Sequence, residues 1–290
     1  MSNKVTVAAI QMTYGLEEAC EKVREAASQG AQIILLPELF ENWVLLPGKS
    51  YENYHLATTL EENPAVREMQ TIARDFKVVI PVSYYERVGE TTFNTVAVID
   101  ADGTIMGQYR KTHIPDDHFY QEKFYFTPGN TGFKGLGYGL CENRRRYLLG
   151  SVVPGVRSLH GAAGRRAAVL PDGHRLRADS RLRFHAALAA LHAGSRGGKY
   201  YAADRCKPHR HRDRQSRPRD NQHQSSSLTF YGSSFIADET GALVEQADRE
   251  NAGVLTHTFD LDEIREMRRS WGVYRDRRPE MYGAMRGYGE

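Results

Sequence analysis

Residues 5–40 read VTVAAIQMTYGLEEACEKVREAASQGAQIILLPELF, and this stretch decides the fold class. VTVAAIQM (5–12) is rich in β-branched and apolar residues and reads as a strand. Glu17 to Ser28 spaces its apolar residues as an amphipathic helix does, and Gly30 closes it. AQIILLPELF (31–40) is an apolar run that reads as a buried strand. Strand, helix and buried strand in this order open an α/β fold.

Working outward, Asn63 and Pro64 suit the cap and first position of a helix over 63–75, followed by the strand KVVIPVSYYE (77–86). TFNTVAVIDADGTIMGQYRKTHI (92–114) predicts two antiparallel strands turning at Asp102-Gly103. SLTFYGSSFIADETGALVEQAD (227–248) predicts another hairpin about Thr240-Gly241, and GVLTHTFDLDEIREM (253–267) a strand and a capped helix. Between Lys134 and about Arg219 neither the two-residue nor the 3.6-residue period is sustained.

LLPELFE (35–41), GQYRKTHIP (107–115) and YQEKFYFTPGNTGF (120–133) resemble consecutive signatures of the nitrilase superfamily of carbon–nitrogen hydrolases. TFYGSSFIADETG (229–241) and FDLDEIREMRRSWGVYRDRRPEMY (259–282) are similar to the branch that hydrolyses N-carbamoylputrescine to putrescine, carbon dioxide and ammonia. The resemblance implies one carbon–nitrogen hydrolase domain over 1–290. Its fold would be an α-β-β-α sandwich, disrupted at its centre in the chain as written, and such enzymes associate into homo-oligomers. It also implies a general base at Glu38, an oxyanion donor at Lys111, a supporting acid at Glu122 and a nucleophilic cysteine. Neither cofactor nor metal enters that chemistry.

Local reading agrees for Glu38, because a carboxylate directly after the apolar IILLP run is desolvated and suited to proton transfer. The residues alone leave alternatives open. Glu38 would equally serve as a structural cap, Lys111 as an edge-strand solubiliser, and Glu122 as a partner for Lys123 or Arg110. Asn130 departs from the family pattern, which has Asp before Thr-Gly-Phe.

The cysteine is missing. The family follows Thr-Gly-Phe with a strand ending near Gly-Ile-Cys-Trp-Asp, and no such string occurs. Cys141, in GLCENRRR, lacks both the apolar strand and the Trp-Asp. Tyr147 to Gly155, YLLGSVVPG, can be encoded as TAT TTG CTG GGA TCA GTG GTT CCC GGA. Read one base later, these codons give Ile-Cys-Trp-Asp-Gln-Trp-Phe-Pro, with the Cys codon straddling Leu148 and Leu149. The same offset converts GLGYGLCENRRR (135–146) into VWDTGYVKIGVG, which leads into that motif. It converts LHAGSRGGKYYAADRCKPHRHRD (191–213) into MQGHAAANIMPLIAANRIGTE, a helix and an apolar strand. Residues 135–219 therefore read as an out-of-frame segment inside the domain, and a shorter slip fits Asn42 to Gly48.

Charge divides the chain at the same places. The segment 135–219 holds 19 of the 39 Lys and Arg but only 5 of the 36 Asp and Glu, so the remainder is acidic, as cytosolic enzymes commonly are. Three cysteines in no metal-ligand spacing argue against zinc and disulfide frameworks. No apolar run reaches the roughly 20 residues of a membrane span. These features predict a cytoplasmic protein with no membrane or nucleic-acid partner, and the resemblance implies that it is an enzyme acting on a small carbamoyl amine. The competing readings are another carbamoyl amidase or ω-amidase of the superfamily, and an inactive scaffold whose Arg- and His-rich centre binds nucleic acid. His209 and His211 form an H-x-H pair without further ligands and carry no metal site by themselves. Buried arginines in place of central apolar strands predict that the chain as written does not fold stably.

Overall fold

The computed structural model describes residues 4–41, 49–116, 121–132, 232–238, 240–270, 276 and 278–281, together with the backbone of short strands between 136 and 230. In chain order the elements begin with β1 (Lys4–Gln11), α1 (Leu16–Ser28), β2 (Ile33–Leu35), α2 (Pro64–Phe76), β3 (Ile80–Val88), β4 (Thr91–Ile99), β5 (Ile105–Arg110) and α3 (Glu122–Tyr125). There follow β6 (Leu136–Tyr138), β7 (Arg145–Leu149), β8 (Ala167–Pro171), β9 (Arg175–Leu176), β10 (Ala202–Cys206), β11 (His211–Arg214) and β12 (Ser226–Phe230). β13 (Phe235–Ala237), β14 (Leu243–Gln246), β15 (Gly253–Asp260) and α4 (Leu261–Ser270) complete the fold.

Two layers of sheet form. In the first, β15-β1-β2 and β3-β4-β5 meet edge to edge through a parallel bridge between Ile33 and Val79. The second has the order β14-β13-β10-β8-β7-β6. Period-two alternation assigns the faces of the first layer. Ala8, Ile10, Ile34, Leu36, Ile80, Val82 and Ala97 pack against α1 and α2. Val5, Val7, Ala9, Ile33, Leu35, Val79, Val96 and Val98 form the opposite core with Ile236 of β13 in the second sheet. This is the expected sandwich. Strands buried on both faces need apolar residues at successive positions, which is why IILL carries no polar alternation.

Asn63 caps α2, its Oδ1 accepting from the Val66 N–H at 2.8 Å, with Pro64 at the first helical position. Lys77 is not in a strand. It ends α2 in a left-handed conformation (φ 59°), so β3 starts three residues later than its sequence suggests. The β4–β5 hairpin turns where Asp102-Gly103 stands, Gly103 having φ 84°. SLTF also departs from expectation: β12 pairs with β11 and β9, while the hairpin about Gly241 joins β13 to β14. The segment 135–219 still supplies β6, β7, β8 and β10 to the second sheet. A ladder needs only backbone N–H and C=O groups, so it forms where side-chain periodicity is lost. Most of the segment, the Asn42–Gly48 stretch and the helix expected from rereading 191–213 lie outside the described residues. Among the described residues no helix is long and apolar enough to cross a membrane.

Candidate active site

Glu38 follows β2 because Pro37, lacking an N–H, ends the ladder and a turn begins. The next residue, Leu39, has φ 51°, a left-handed conformation costing a branched side chain on the order of 1–2 kcal/mol. Two features hold it. Its N–H donates to Ser83 Oγ at 3.1 Å, and its side chain is buried with Tyr85, Ile114, Tyr125 and Phe126. Strain at this point reverses the chain immediately beyond the Glu38 carboxylate.

Lys111 leaves the end of β5 with its backbone clamped on both sides. Its N–H donates to the Asn94 carbonyl at 2.8 Å, and its own carbonyl accepts from the Gly129 N–H at 2.8 Å. Gly129 is required at that approach, because a Cβ there would collide with the Arg110 carbonyl oxygen. Glu122 opens α3, a one-turn helix fastened to β4 and to the 3-10 turn Tyr51–Leu56. Thr92 Oγ1 donates to the Tyr125 carbonyl at 2.6 Å, and the Tyr125 hydroxyl accepts from Ser50 N–H at 2.8 Å and Asn53 Nδ2 at 3.0 Å.

These elements bring the three expected residues together. Lys111 Nζ donates to Glu38 Oε1 at 2.9 Å and to Glu122 Oε2 at 2.8 Å. Glu122 is buried and about a fifth of the Lys111 side chain is exposed. Burial by itself disfavours the ammonium, but the two carboxylates and their hydrogen bonds outweigh it and hold Lys111 charged well above the ordinary lysine range. An ammonium has three N–H donors, two of which are used here. The third remains for a reacting oxygen, so Lys111 is suited to stabilise an oxyanion and unsuited to act as a base.

Sequence reasoning missed Asn94, whose Nδ2 donates to Glu38 Oε1 at 2.6 Å, and Ser83 under the Leu39 turn. A signal for Asn94 exists: in TFNTVAVI it is an Asn, a poor strand former, inside an otherwise β-prone run. Glu41, the second acid of ELFE, takes another path and accepts from Asn63 Nδ2 at 3.0 Å, its burial pushing its carboxyl up. The alternatives of Lys123 or Arg110 as partner to Glu122 are not needed, since Arg110 pairs instead with Glu86 at 2.7 Å.

No thiol among the described side chains suits nucleophilic attack. Cys20 lies on the buried face of α1, where burial pushes its thiol up, against the thiolate a nucleophile needs. Cys206 ends β10, and Cys141 lies outside the described residues. Leu148 and Leu149, over which the out-of-frame Cys codon falls, end β7 beside Ala168 and Val169 of β8. Among the described residues no three His, Cys, Asp or Glu side chains gather as metal ligands.

Comparison with known proteins identifies the family. The family model for carbon-nitrogen hydrolases matches residues 6–153 and 157–269. An N-carbamoylputrescine amidase of Solanum tuberosum is 38% identical over 293 residues, 96% of this chain and 93% of that protein. A citrullinase of Francisella tularensis is 35% identical over 298 residues, 96% of each. The crystal structure of a carbon-nitrogen hydrolase from Helicobacter pylori G27 superposes with a TM-score of 0.87 at 22% identity, covering 99% of this chain and 100% of that one, and establishes the shared fold. The chain belongs to the carbon-nitrogen hydrolase family of the nitrilase superfamily, whose relatives are amidohydrolases.

Proposed function

We propose that the frame-restored enzyme hydrolyses N-carbamoylputrescine to putrescine, carbon dioxide and ammonia, with Glu38 as general base, Lys111 as oxyanion donor and Glu122 supporting Lys111. The observation that carries this reading is the ammonium of Lys111 bridging two carboxylates at 2.9 and 2.8 Å while keeping one donor to spare. The cysteine comes from the frame shift at Leu148 and Leu149. A frame slip that later recovers keeps the residue count, and the family match does run through 135–219 apart from 154–156.

In this mechanism the thiol gives its proton to Glu38 as sulfur bonds to the ureido carbon. Negative charge on the carbonyl oxygen is met by Lys111. Glu38 passes the proton to the leaving nitrogen, the C–N bond breaks and ammonia departs. Water then attacks the thiocarbamate, Glu38 takes its proton, the thiol is regenerated, and the freed carbamate loses carbon dioxide to leave the amine. Splitting one displacement into two suits a ureido carbon, which is a poor electrophile.

Ammonia release from N-carbamoylputrescine, citrulline and an ω-amide by the frame-restored chain tests the reading. The highest kcat/KM is expected for N-carbamoylputrescine, and near-total loss on Glu38→Gln. A clear preference for an ω-amide overturns it. Citrulline is the second reading, favoured by the similarity to a citrullinase over 96% of both chains; it carries the same terminal ureido group and adds an α-amino acid. The resemblance brings two more expectations, a cytoplasmic location and a homo-oligomer. Sedimentation of the frame-restored chain as monomer alone overturns the second.

A further inference from the structure

The two oxygens of Glu38 are unlike. Oε1 accepts from Lys111 Nζ at 2.9 Å and from Asn94 Nδ2 at 2.6 Å, whereas Oε2 has no hydrogen-bond partner among the described residues. A carboxylate bonded through one oxygen to a lysine alone can swing about that contact, because an ammonium is a rotationally undemanding point charge. A second donor from another direction removes that freedom.

Asn94 is well placed to be this donor. It lies in the middle strand of β3-β4-β5, between Tyr85 on one side and the backbone of Lys111 on the other. It is buried, 3% exposed, and its side chain shares the inter-sheet face with Val96 and Val98. Its neighbour Thr95 faces the helices and serves Glu86 instead, donating at 2.6 Å. An amide is unfavourable inside a β-prone strand unless its polar atoms are bonded, so its presence points to a task.

We infer that Asn94 is a positioning residue that holds Glu38 with Oε1 engaged and Oε2 presented as the proton acceptor. It touches neither substrate nor nucleophile in this role, and acts only through Glu38. The inference rests on the reading of Glu38 as the base.

Asn94→Asp keeps the shape, deletes the donor and faces Glu38 with a like charge, while Asn94→Ala deletes the side chain. In the frame-restored chain both are expected to lower kcat at least tenfold with KM within twofold, Asp more than Ala. Crystal structures of both variants give a readout independent of turnover, in which the Glu38 carboxylate leaves its place beside Lys111. If Asn94 only fills space, Asp behaves as wild type, Ala is the worse variant, and Glu38 stays put; that result overturns the inference. Failure of the functional reading looks different: the unsubstituted chain releases no ammonia, and the crystal structures still decide whether Asn94 holds Glu38.

Discussion

Arg110 and Lys111 are adjacent cations that face opposite sides of one strand end, and period two gives them unlike work. Arg110, on the helix-facing side, forms a two-pronged pair with Glu86 at 2.7 and 2.8 Å and also donates to Asn130 Oδ1 at 2.9 Å. A neutral Asn suffices where the family has Asp, since Glu86 already neutralises the guanidinium. Lys111, on the inter-sheet side, carries the site. Lys111→Met leaves Glu38 and Glu122 without their cation and is expected to cost about 3 kcal/mol, as breaking a buried pair does. The pH dependence has a definite sign. A lysine raised in the folded state stabilises fully below its unfolded pKa of about 10.4, and that stability is lost as pH rises through the higher folded value. The gap in urea midpoint between wild type and Lys111→Met should therefore be flat from about pH 6 to 9 and narrow above about pH 10.4. A gap that narrows already near neutrality contradicts the charged, doubly paired lysine.

Among the elements, α2 shows how local chemistry and tertiary contacts share a residue. Asn63 caps the helix through Oδ1, while its Nδ2 donates to Glu41 at 3.0 Å and Thr58 Oγ1 at 3.1 Å. Asn63→Ala removes all three contacts and is expected to cost about 2 kcal/mol, the upper end for a cap, with Asn63→Asp recovering the cap alone. Thermal unfolding of the frame-restored variants measures this, and an Ala variant within 0.3 kcal/mol (about a tenth of an ordinary buried pair) excludes the role. The cap was legible in Asn-Pro, as were the turns at Asp102-Gly103 and Thr240-Gly241, because each depends on a few adjacent residues. Lys77 was not. Nothing local distinguishes a lysine that starts a strand from one that takes the left-handed position ending a helix, and the closure of Val78 N–H on the Ala73 carbonyl with the bridging of Val79 to β2 decided it.

At the scale of the whole molecule, the first and last parts of the chain are locked together by buried polar groups. Gln11, fully buried at the end of β1, accepts from Ser234 N–H at 2.9 Å and donates to the carbonyls of Asp248 and Asn251 at 2.9 and 2.7 Å. Antiparallel pairing of β1 with β15 over Lys4 to Gln11 brings residues some 250 apart into one ladder. Such a fold needs its second sheet filled with apolar side chains. The segment 135–219 contains 19 basic residues, and burying guanidinium groups without partners costs several kcal/mol each, comparable to the entire roughly 5–15 kcal/mol stability of a domain. The chain as written should unfold without a cooperative transition, whereas the frame-restored chain should unfold cooperatively with a full near-UV circular dichroism signal. Cooperative unfolding of the chain as written overturns the expectation that it does not fold stably, while the coding DNA across codons 130–225 decides the out-of-frame reading.

Sequence by itself determined the strand-helix-strand opening, the hairpin turns and the α2 cap, while Glu38, Lys111 and Glu122 were singled out through the resemblance of their motifs to a family. Periodicity, turn chemistry and contiguous motifs are short-range, so a one-dimensional reading captures them. Only the tertiary structure decided which side of β4 faces the site, that Arg110 belongs to Glu86, and that Asn94 and Ser83 stand behind Glu38 and its strained neighbour. Glu38 lies 56 residues from Asn94 and 73 from Lys111, and their meeting depends on strand register and the stacking of the sheets, not on any local preference. A side chain's neighbours across a sheet are set by pairing, and pairing is a property of the whole chain.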